Sequence, residues 1–224
     1  MPTIDEIEIA GDAGRWLALG FHVDGESCAI GGVALRLSGV RDGEGVGEGE
    51  GVGVIGWSLR GLASAELDGL PTKISERPAM APALPHPNGV VSIDHVVAVS
   101  PAFERSVAAM QAAGMDLRRV REEPTPAGAP RQAFFRLGRE ILELVEEPED
   151  VAAAKGGPDR PARFWGLALL VDDIDATVAA MAPHAGEARA AVQPGRRIST
   201  VGRSAGLTIP LALITRRDDL AESA

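Results

Sequence analysis

Two short stretches decide the fold of this chain: residues 92–100 read SIDHVVAVS, and residues 141–146 read ILELVE. Both are rich in β-branched and apolar residues, which is the composition of buried strands. Apolar residues recur three or four positions apart from Phe103 to Ala113, which is helical spacing. With two shorter strands at 117–121 and 132–137, the segment predicts the order strand, helix, strand, strand, strand (βαβββ).

The same pattern occurs on both sides of this central segment. Residues 3–10 read TIDEIEIA, which aligns with SIDHVVAV at 92–99. Residues 164–171 read FWGLALLV, a third predicted first strand, and an acidic DDID follows it before a short helix. Such internal repetition indicates an architecture built from copies of one unit. The chain therefore predicts three βαβββ modules, the first of them degenerate.

The boundaries between these modules follow from composition. Five prolines between Pro71 and Pro87 exclude a helix or a central strand there. We therefore expect a degenerate N-terminal module at 1–75, a proline-rich linker at 76–90, paired modules at 91–215 and a charged tail at 216–224.

Bulk composition excludes several classes of partner. The net charge of −10 argues against nucleic acid and against an anionic membrane surface. No run approaches the roughly 18–20 apolar residues that span a bilayer. A single cysteine, Cys28, rules out an internal disulfide and fits a reducing compartment. These features predict a cytoplasmic protein.

The βαβββ order, with His95 in a first strand and Glu143 in a last strand, resembles one module of the vicinal oxygen chelate superfamily. This superfamily includes glyoxalase, extradiol dioxygenases and bleomycin-resistance proteins. The resemblance implies an α+β fold in which modules two and three pair into an eight-stranded curved sheet, the cup. It leaves the N-terminal module unpartnered, so we expect that module to be covered by a second subunit, giving a homodimer, or by packing on the pair.

The resemblance also implies where a metal would bind. In metal-dependent members the His and the Glu of two modules together hold one divalent ion. Here strand alternation places His95 and Glu143 on the cup face. Gly166 is expected in the place of the second His and Pro210 in that of the second Glu, and neither can donate a side-chain ligand. No metal is therefore favoured and the cofactor is left open; if a metal binds, His95 and Glu143 are its expected ligands.

Other residues of the predicted cup suggest a ligand site. Arg131, Gln132 and Arg136 lie on or beside one strand of the sheet and could orient a ligand through several donors. Gly166 and Pro210 would give the opposite half a roomy, apolar wall, as small-molecule sites often have.

In the N-terminal module, Glu6 is expected in the place of His95, and Gly56 or Trp57 in the place of Glu143.

These observations leave three hypotheses for function. The leading one is a glyoxalase-like protein with an incomplete metal site that binds a small, partly apolar organic molecule, or acts on it through His95 and Glu143. The second is a metal-dependent lyase, isomerase or dioxygenase whose ligands are completed by Glu6 or by a partner chain. The third is a non-catalytic interaction protein. The sequence does not decide whether the protein is an enzyme.

Overall fold

A computed structural model describes residues 1–39, 53–126 and 128–216, which form thirteen strands and four α-helices. In chain order these elements are β1 (Thr3–Ala10), α1 (Ala13–Ala18), β2 (Ser27–Ile30), β3 (Val33–Leu37), β4 (Gly53–Arg60), β5 (Thr72–Ile74), β6 (Val90–Ser100), α2 (Phe103–Ala112), β7 (Asp116–Arg121), β8 (Gln132–Leu137), β9 (Glu140–Glu146), α3 (Glu149–Ala154), β10 (Arg163–Val171), α4 (Ile174–Ala180), β11 (Arg189–Ala190), β12 (Arg197–Val201) and β13 (Leu211–Thr215). None of the helices in these ranges is long and apolar enough to cross a bilayer.

Strands β6 to β13 form one eight-stranded sheet in the order β11-β12-β13-β10-β6-β9-β8-β7. Within each half, the first strand lies parallel to the last: β6 pairs with β9, and β10 pairs with β13. The two halves join through β6 and β10, which run antiparallel. This is a pair of βαβββ modules, so the predicted fold class is confirmed.

Strands β6, β8, β9, β10 and β13 of this sheet turn apolar side chains into the core, as strand alternation allows. In β8 and β9 the fully buried residues are Ala133, Phe135, Leu137, Leu142 and Leu144. Helix α2 covers this face with Phe103, Val107 and Met110, which recur at helical spacing. Gly114, just beyond the helix, has a φ of 90°, a backbone conformation that favours glycine over residues with a side chain. The other face of the sheet is the cup.

The first five strands form a separate sheet in the order β2-β3-β1-β4-β5. Its central pair, β1 and β4, repeats the antiparallel pairing of β6 and β10. Glu6 lies opposite Ser58 as His95 lies opposite Ala168, and Glu8 lies opposite Gly56 as Val97 lies opposite Gly166. The N-terminal sheet is therefore a shortened version of the paired sheet, with β4 and β5 in the places of β10 and β13.

This topology corrects one expectation about the N-terminal module. Gly56 and Trp57 do not occupy the place of Glu143, because their strand β4 runs antiparallel to β1. The parallel neighbour of β1 is β3, in which Arg36 lies opposite Glu8 just as Glu143 lies opposite Val97. Arg36 thus stands where Glu143 stands, and Gly56 stands where Gly166 stands.

The apolar faces of the two sheets share one hydrophobic core. Buried residues of β1, β3 and β4 belong to the same cluster as those of β6, β9 and β10. Trp57 of β4 contacts Phe164 of β10 edge to face, with ring centroids 5.1 Å apart. The N-terminal sheet is therefore covered by packing on the paired modules, and the polar faces of both sheets point away from the common core.

Several elements differ in extent from their predictions. The strands predicted at 117–121 and 164–171 each begin one residue earlier, at Asp116 and Arg163. Strand β5 and helix α3 were not predicted, because the first lies in the proline-rich stretch and the second in an acidic connector. Residues 217–224 of the expected tail lie outside the described ranges.

Candidate functional site

A β-bulge places two consecutive polar side chains on the cup face. The pairing of β6 with β10 slips between Ile93 and His95, which leaves Asp94 as the extra residue. Ile93 and Val96 on either side are buried in the core. Asp94 and His95 must therefore both lie on the opposite face, and their side chains meet there.

His95 contacts a carboxylate with each of its ring nitrogens. Nδ1 lies 2.8 Å from Oδ2 of Asp94, and Nε2 lies 3.1 Å from Oε2 of Glu143. The second contact follows from strand pairing, because Glu143 of β9 lies opposite Val97, two residues after His95. The side chains of His95, Asp94 and Glu143 are only 15%, 15% and 14% exposed. The structure thus brings His95 and Glu143 together in a partly buried setting.

The two carboxylates are held in turn by outer partners. The guanidinium of Arg196 donates to both carboxylate oxygens of Asp94, and it also donates to the carbonyl of Thr215 and to the amide oxygen of Gln193. Gln132 of β8 donates through Nε2 to Oε1 of Glu143. A continuous chain of polar contacts therefore runs from Arg196 through Asp94, His95 and Glu143 to Gln132.

This network stabilises the ionised form of Asp94. Burial raises the pKa of its carboxyl, but hydrogen bonds from His95 and Arg196, together with their positive charges, outweigh burial and hold the pKa below its ordinary value. A permanent carboxylate at Nδ1 fixes the orientation of the imidazole ring. Nε2 is then the nitrogen that can exchange a proton with Glu143 or with a bound molecule.

The third module supplies no matching donors, and its small residues do not leave open space. A Cβ added at Gly166 would overlap the carbonyl oxygen of Pro210 and come within 3.1 Å of its Cβ. The expected roomy wall at Gly166 is therefore wrong, because Pro210 already fills that position. Pairing also puts Ala212 opposite Ala168, two residues after Gly166, so Ala212 rather than Pro210 stands in the place of Glu143.

These side chains do not fit a divalent metal. A catalytic site of this kind needs about three protein ligands, whereas His95 and Glu143 offer two, already bonded to each other, and Gln132 presents its amide nitrogen. Across residues 1–39, 53–126 and 128–216, no group of three or more His, Cys, Asp or Glu side chains is arranged to hold an ion. Glu6 does not complete the set, because it is bonded to Arg36 and Arg77 on the other sheet.

The two predicted arginines lie apart from this network. Arg131 lies on the helix side of the sheet, where it pairs with Glu146 and Glu104 and its guanidinium stacks 4.5 Å from the ring centroid of Phe103. Arg136 is on the cup face but is exposed, and it donates to the carbonyl of Gly138. Of the three predicted orienting residues, the structure brings only Gln132 to His95 and Glu143.

The N-terminal sheet carries a different polar cluster in the equivalent positions. Asp5, which is bulged like Asp94, binds Arg60, Arg77 and Ser75, while Glu6 pairs with Arg36 at 3.1 Å. A pocket of about 210 Å³ on this face is lined by Glu6, Glu8, Ile55, Gly56, Trp57, Pro71, Thr72 and Lys73. Here ion pairs neutralise the equivalents of His95 and Glu143, so the eight-stranded sheet holds the better candidate for chemistry.

Two members of the network were missed at the sequence level. Asp94 had a signal, because Ile-Asp recurs in the aligned segments at 4–5 and 93–94. Arg196 had none, since it lies 102 residues from Asp94 and only the folded sheet brings the two together.

Comparisons with known proteins support the fold. No family model and no curated protein matches the chain. A solved xylose isomerase-like TIM barrel/4-hydroxyphenylpyruvate dioxygenase fusion protein is 15% identical over 98% of this chain and 50% of its own length, with a TM-score of 0.63. Methylmalonyl-CoA epimerase from Mycobacterium tuberculosis is 20% identical over 59% of this chain and 93% of its own, with a TM-score of 0.48.

The match thus spans half the length of the fusion protein and nearly all residues of the present chain. At such identities a likeness establishes the fold and leaves activity to the site itself. The protein has a glyoxalase-like fold of repeated βαβββ modules, as the sequence predicted.

Proposed function

We propose that this protein binds a small, partly apolar organic molecule in the cup of the eight-stranded sheet. The observation that carries the proposal is the chain of contacts from Asp94 through His95 to Glu143. Burying ionisable groups is costly unless they are paired, and three of them, Asp94, His95 and Glu143, converge here on a face that the core does not need. Apolar neighbours on the same face, such as Val97 and Ile141, would contact the rest of the ligand.

The same groups could act chemically on the bound molecule without a metal. Asp94 would orient the ring of His95 and stabilise its positive charge, as a carboxylate does for an imidazole that accepts a proton. His95 would then exchange a proton with the ligand through Nε2, and Glu143, held by Gln132, would hold or return that proton. Proton transfer to or from a polar group of the ligand is therefore the reaction class that this geometry supports.

Backbone-resolved NMR tests where small molecules bind. We expect weakly binding fragments to shift the signals of β6 and β9 around His95 and Glu143, and His95→Ala to abolish those shifts. The matched control is His184→Ala, because His184 is exposed and contacts Ser204 away from the cup. If fragments shift only the signals of the pocket beside Glu8 and Lys73, or bind the His95→Ala variant as they bind the unaltered protein, the proposal is wrong.

Metal analysis of the same purified protein separates this proposal from the metal-dependent alternative. We expect fragment shifts at His95 to persist in excess chelator, because the polar contacts there require no ion. One divalent ion per chain that disappears in His95→Ala would instead favour a metal-dependent enzyme.

A further inference from the structure

Trp165 is an exposed indole in a protein that buries its other tryptophans. It is 49% exposed, whereas Trp16 is 1% and Trp57 is 2% exposed. Exposing a large aromatic side chain forgoes substantial stabilisation from burial. The exposed indole of Trp165 is therefore available to contact another molecule.

The backbone of β10 directs this indole into the cup. The pairing of β10 with β6 slips between Phe164 and Gly166, leaving Trp165 as the extra residue. Phe164 packs against the core and Leu167 is buried in it. The two residues between them must both lie on the opposite face, just as Asp94 and His95 do on β6.

The position of Trp165 relative to the polar network follows from the strand order. Gly166 lies opposite Val97, and Val97 lies opposite Glu143 on the next strand. Two strand spacings, about 10 Å, therefore separate the backbone of Glu143 from that of Gly166, the neighbour of Trp165. A ligand the size of one six-membered ring, with a polar group on its edge, would be of the size to contact both side chains from the same face of the sheet.

The charges of the network select the polar group of the ligand. Asp94 and Glu143 present carboxylate oxygens, and the guanidinium of Arg196 is already bonded to Asp94. An anionic ligand would meet two negative groups, whereas a hydroxyl or amine would find acceptors. An uncharged ring that carries a hydrogen-bond donor would therefore suit both the indole of Trp165 and the carboxylate of Glu143.

We propose that Trp165 is the stacking wall of the cup and that the ligand is a planar, uncharged ring with a hydrogen-bond donor on the edge facing Glu143. This inference rests on the proposed function and adds the ligand class and the residue that selects it. Stacking on an aromatic side chain contributes about 0.5–1.5 kcal/mol beyond area burial, which corresponds to about a two- to tenfold change in affinity.

Three small probes test each part of the proposal in NMR titrations of the full chain. Phenol is planar and donates, cyclohexanol donates but is not planar, and benzoate is planar but anionic. We expect phenol to shift the indole N–H signal of Trp165 together with the signals of β9 near Glu143. Cyclohexanol should bind about fivefold more weakly, and benzoate should cause no shifts there.

Variants of Trp165 separate stacking from folding. Trp165→Ala should weaken phenol binding by about five- to tenfold, whereas Trp165→Phe should stay within about twofold because it keeps an aromatic face. The matched control is Leu84→Ala, since Leu84 is another exposed apolar residue and lies in the proline-rich segment. That variant should bind phenol as the unaltered protein does.

Each outcome bears on a different part of the argument. If His95→Ala abolishes phenol binding but Trp165→Ala leaves it unchanged, the role of Trp165 is wrong and the proposed function stands. If benzoate binds as tightly as phenol, the donor class is wrong. If phenol causes no shift near His95, Glu143 or Trp165, both this inference and the proposed site are overturned.

Discussion

At the scale of single residues, the site depends on the bulge at Asp94. Regular alternation along β6 puts His95 on the cup face and assigns its neighbour Asp94 to the core side. The extra residue breaks that alternation, so both side chains face the cup and touch at 2.8 Å. The family resemblance, together with strand alternation, could therefore predict the proximity of His95 and Glu143, but it could not predict the carboxylate that orients the imidazole.

Asp94 should make stability depend on acid pH. Its folded pKa lies below the unfolded value, so the unfolded chain binds more protons and the contribution of Asp94 is fully present above about pH 4 and lost as the pH falls through the folded pKa. We expect Asp94→Asn to cost about 1–3 kcal/mol at pH 7 and progressively less below about pH 4. Urea denaturation at pH 7, 5 and 3 measures this difference.

The control for this experiment is Asp116→Asn. Asp116 pairs with Arg118 at the sheet edge, and both side chains are largely exposed, so its removal should change stability by less than about 0.5 kcal/mol at any of these pH values. A cost for Asp94→Asn that is the same at pH 7 and pH 3 would contradict the assignment of Asp94 as an ionised partner of His95 and Arg196.

At the scale of elements, strand pairing explains why the third module cannot supply metal ligands. The sequence placed Gly166 and Pro210, which have no donor side chain, at the two ligand positions, whereas strand pairing puts Ala212 at the second. It could not show that Pro210 of the segment leading into β13 fills the space above Gly166, because that contact depends on the distance between two strands. For the same reason the sequence did not reveal the position of β4 in its sheet, because antiparallel pairing with β1 produces no periodic pattern in the sequence.

Gly166→Ala should destabilise the protein by about 1–3 kcal/mol, because the added methyl group would overlap the backbone oxygen of Pro210 and force the two strands apart. Thermal and urea unfolding measure the loss. Gly32→Ala is the matched control: the nearest atom to its added Cβ is the Met80 carbonyl oxygen at 3.8 Å, an ordinary contact. If both variants are equally stable, Pro210 does not fill the position as described.

At the scale of the whole molecule, the two sheets share one core. The sequence predicted the repeated modules but left open whether a second subunit or the paired modules cover the first. The common cluster of buried residues shows that the paired modules do so. The homodimer stays a prediction, and covering the N-terminal sheet no longer requires it.

A shared core should make the two sheets unfold together. Phe164→Ala removes a ring that contacts Trp57 across the sheets, so we expect a loss of about 1–3 kcal/mol, because the ring is only partly buried. Tryptophan fluorescence, which reports mainly on Trp16 and Trp57, and far-UV circular dichroism should give the same midpoint in urea. Val192→Ala, at an exposed site, should change the midpoint very little.

Separate transitions for the two probes would show that the sheets are independent units. A single transition whose midpoint Phe164→Ala does not change would show that the contact between Phe164 and Trp57 contributes nothing to the coupling of the two sheets.

Each of the two antiparallel central pairs, β1 with β4 and β6 with β10, has a bulge in both of its strands. The extra residue is Asp5 in β1, Ile55 in β4, Asp94 in β6 and Trp165 in β10, so acidic, aliphatic and aromatic side chains all occupy such positions. The bulge position therefore accommodates chemically different side chains within the same strand pairing. Such a fold can change the chemistry of its polar face by single substitutions at these positions. The two sheets of this chain carry different side chains at equivalent positions, on faces that point away from their common core.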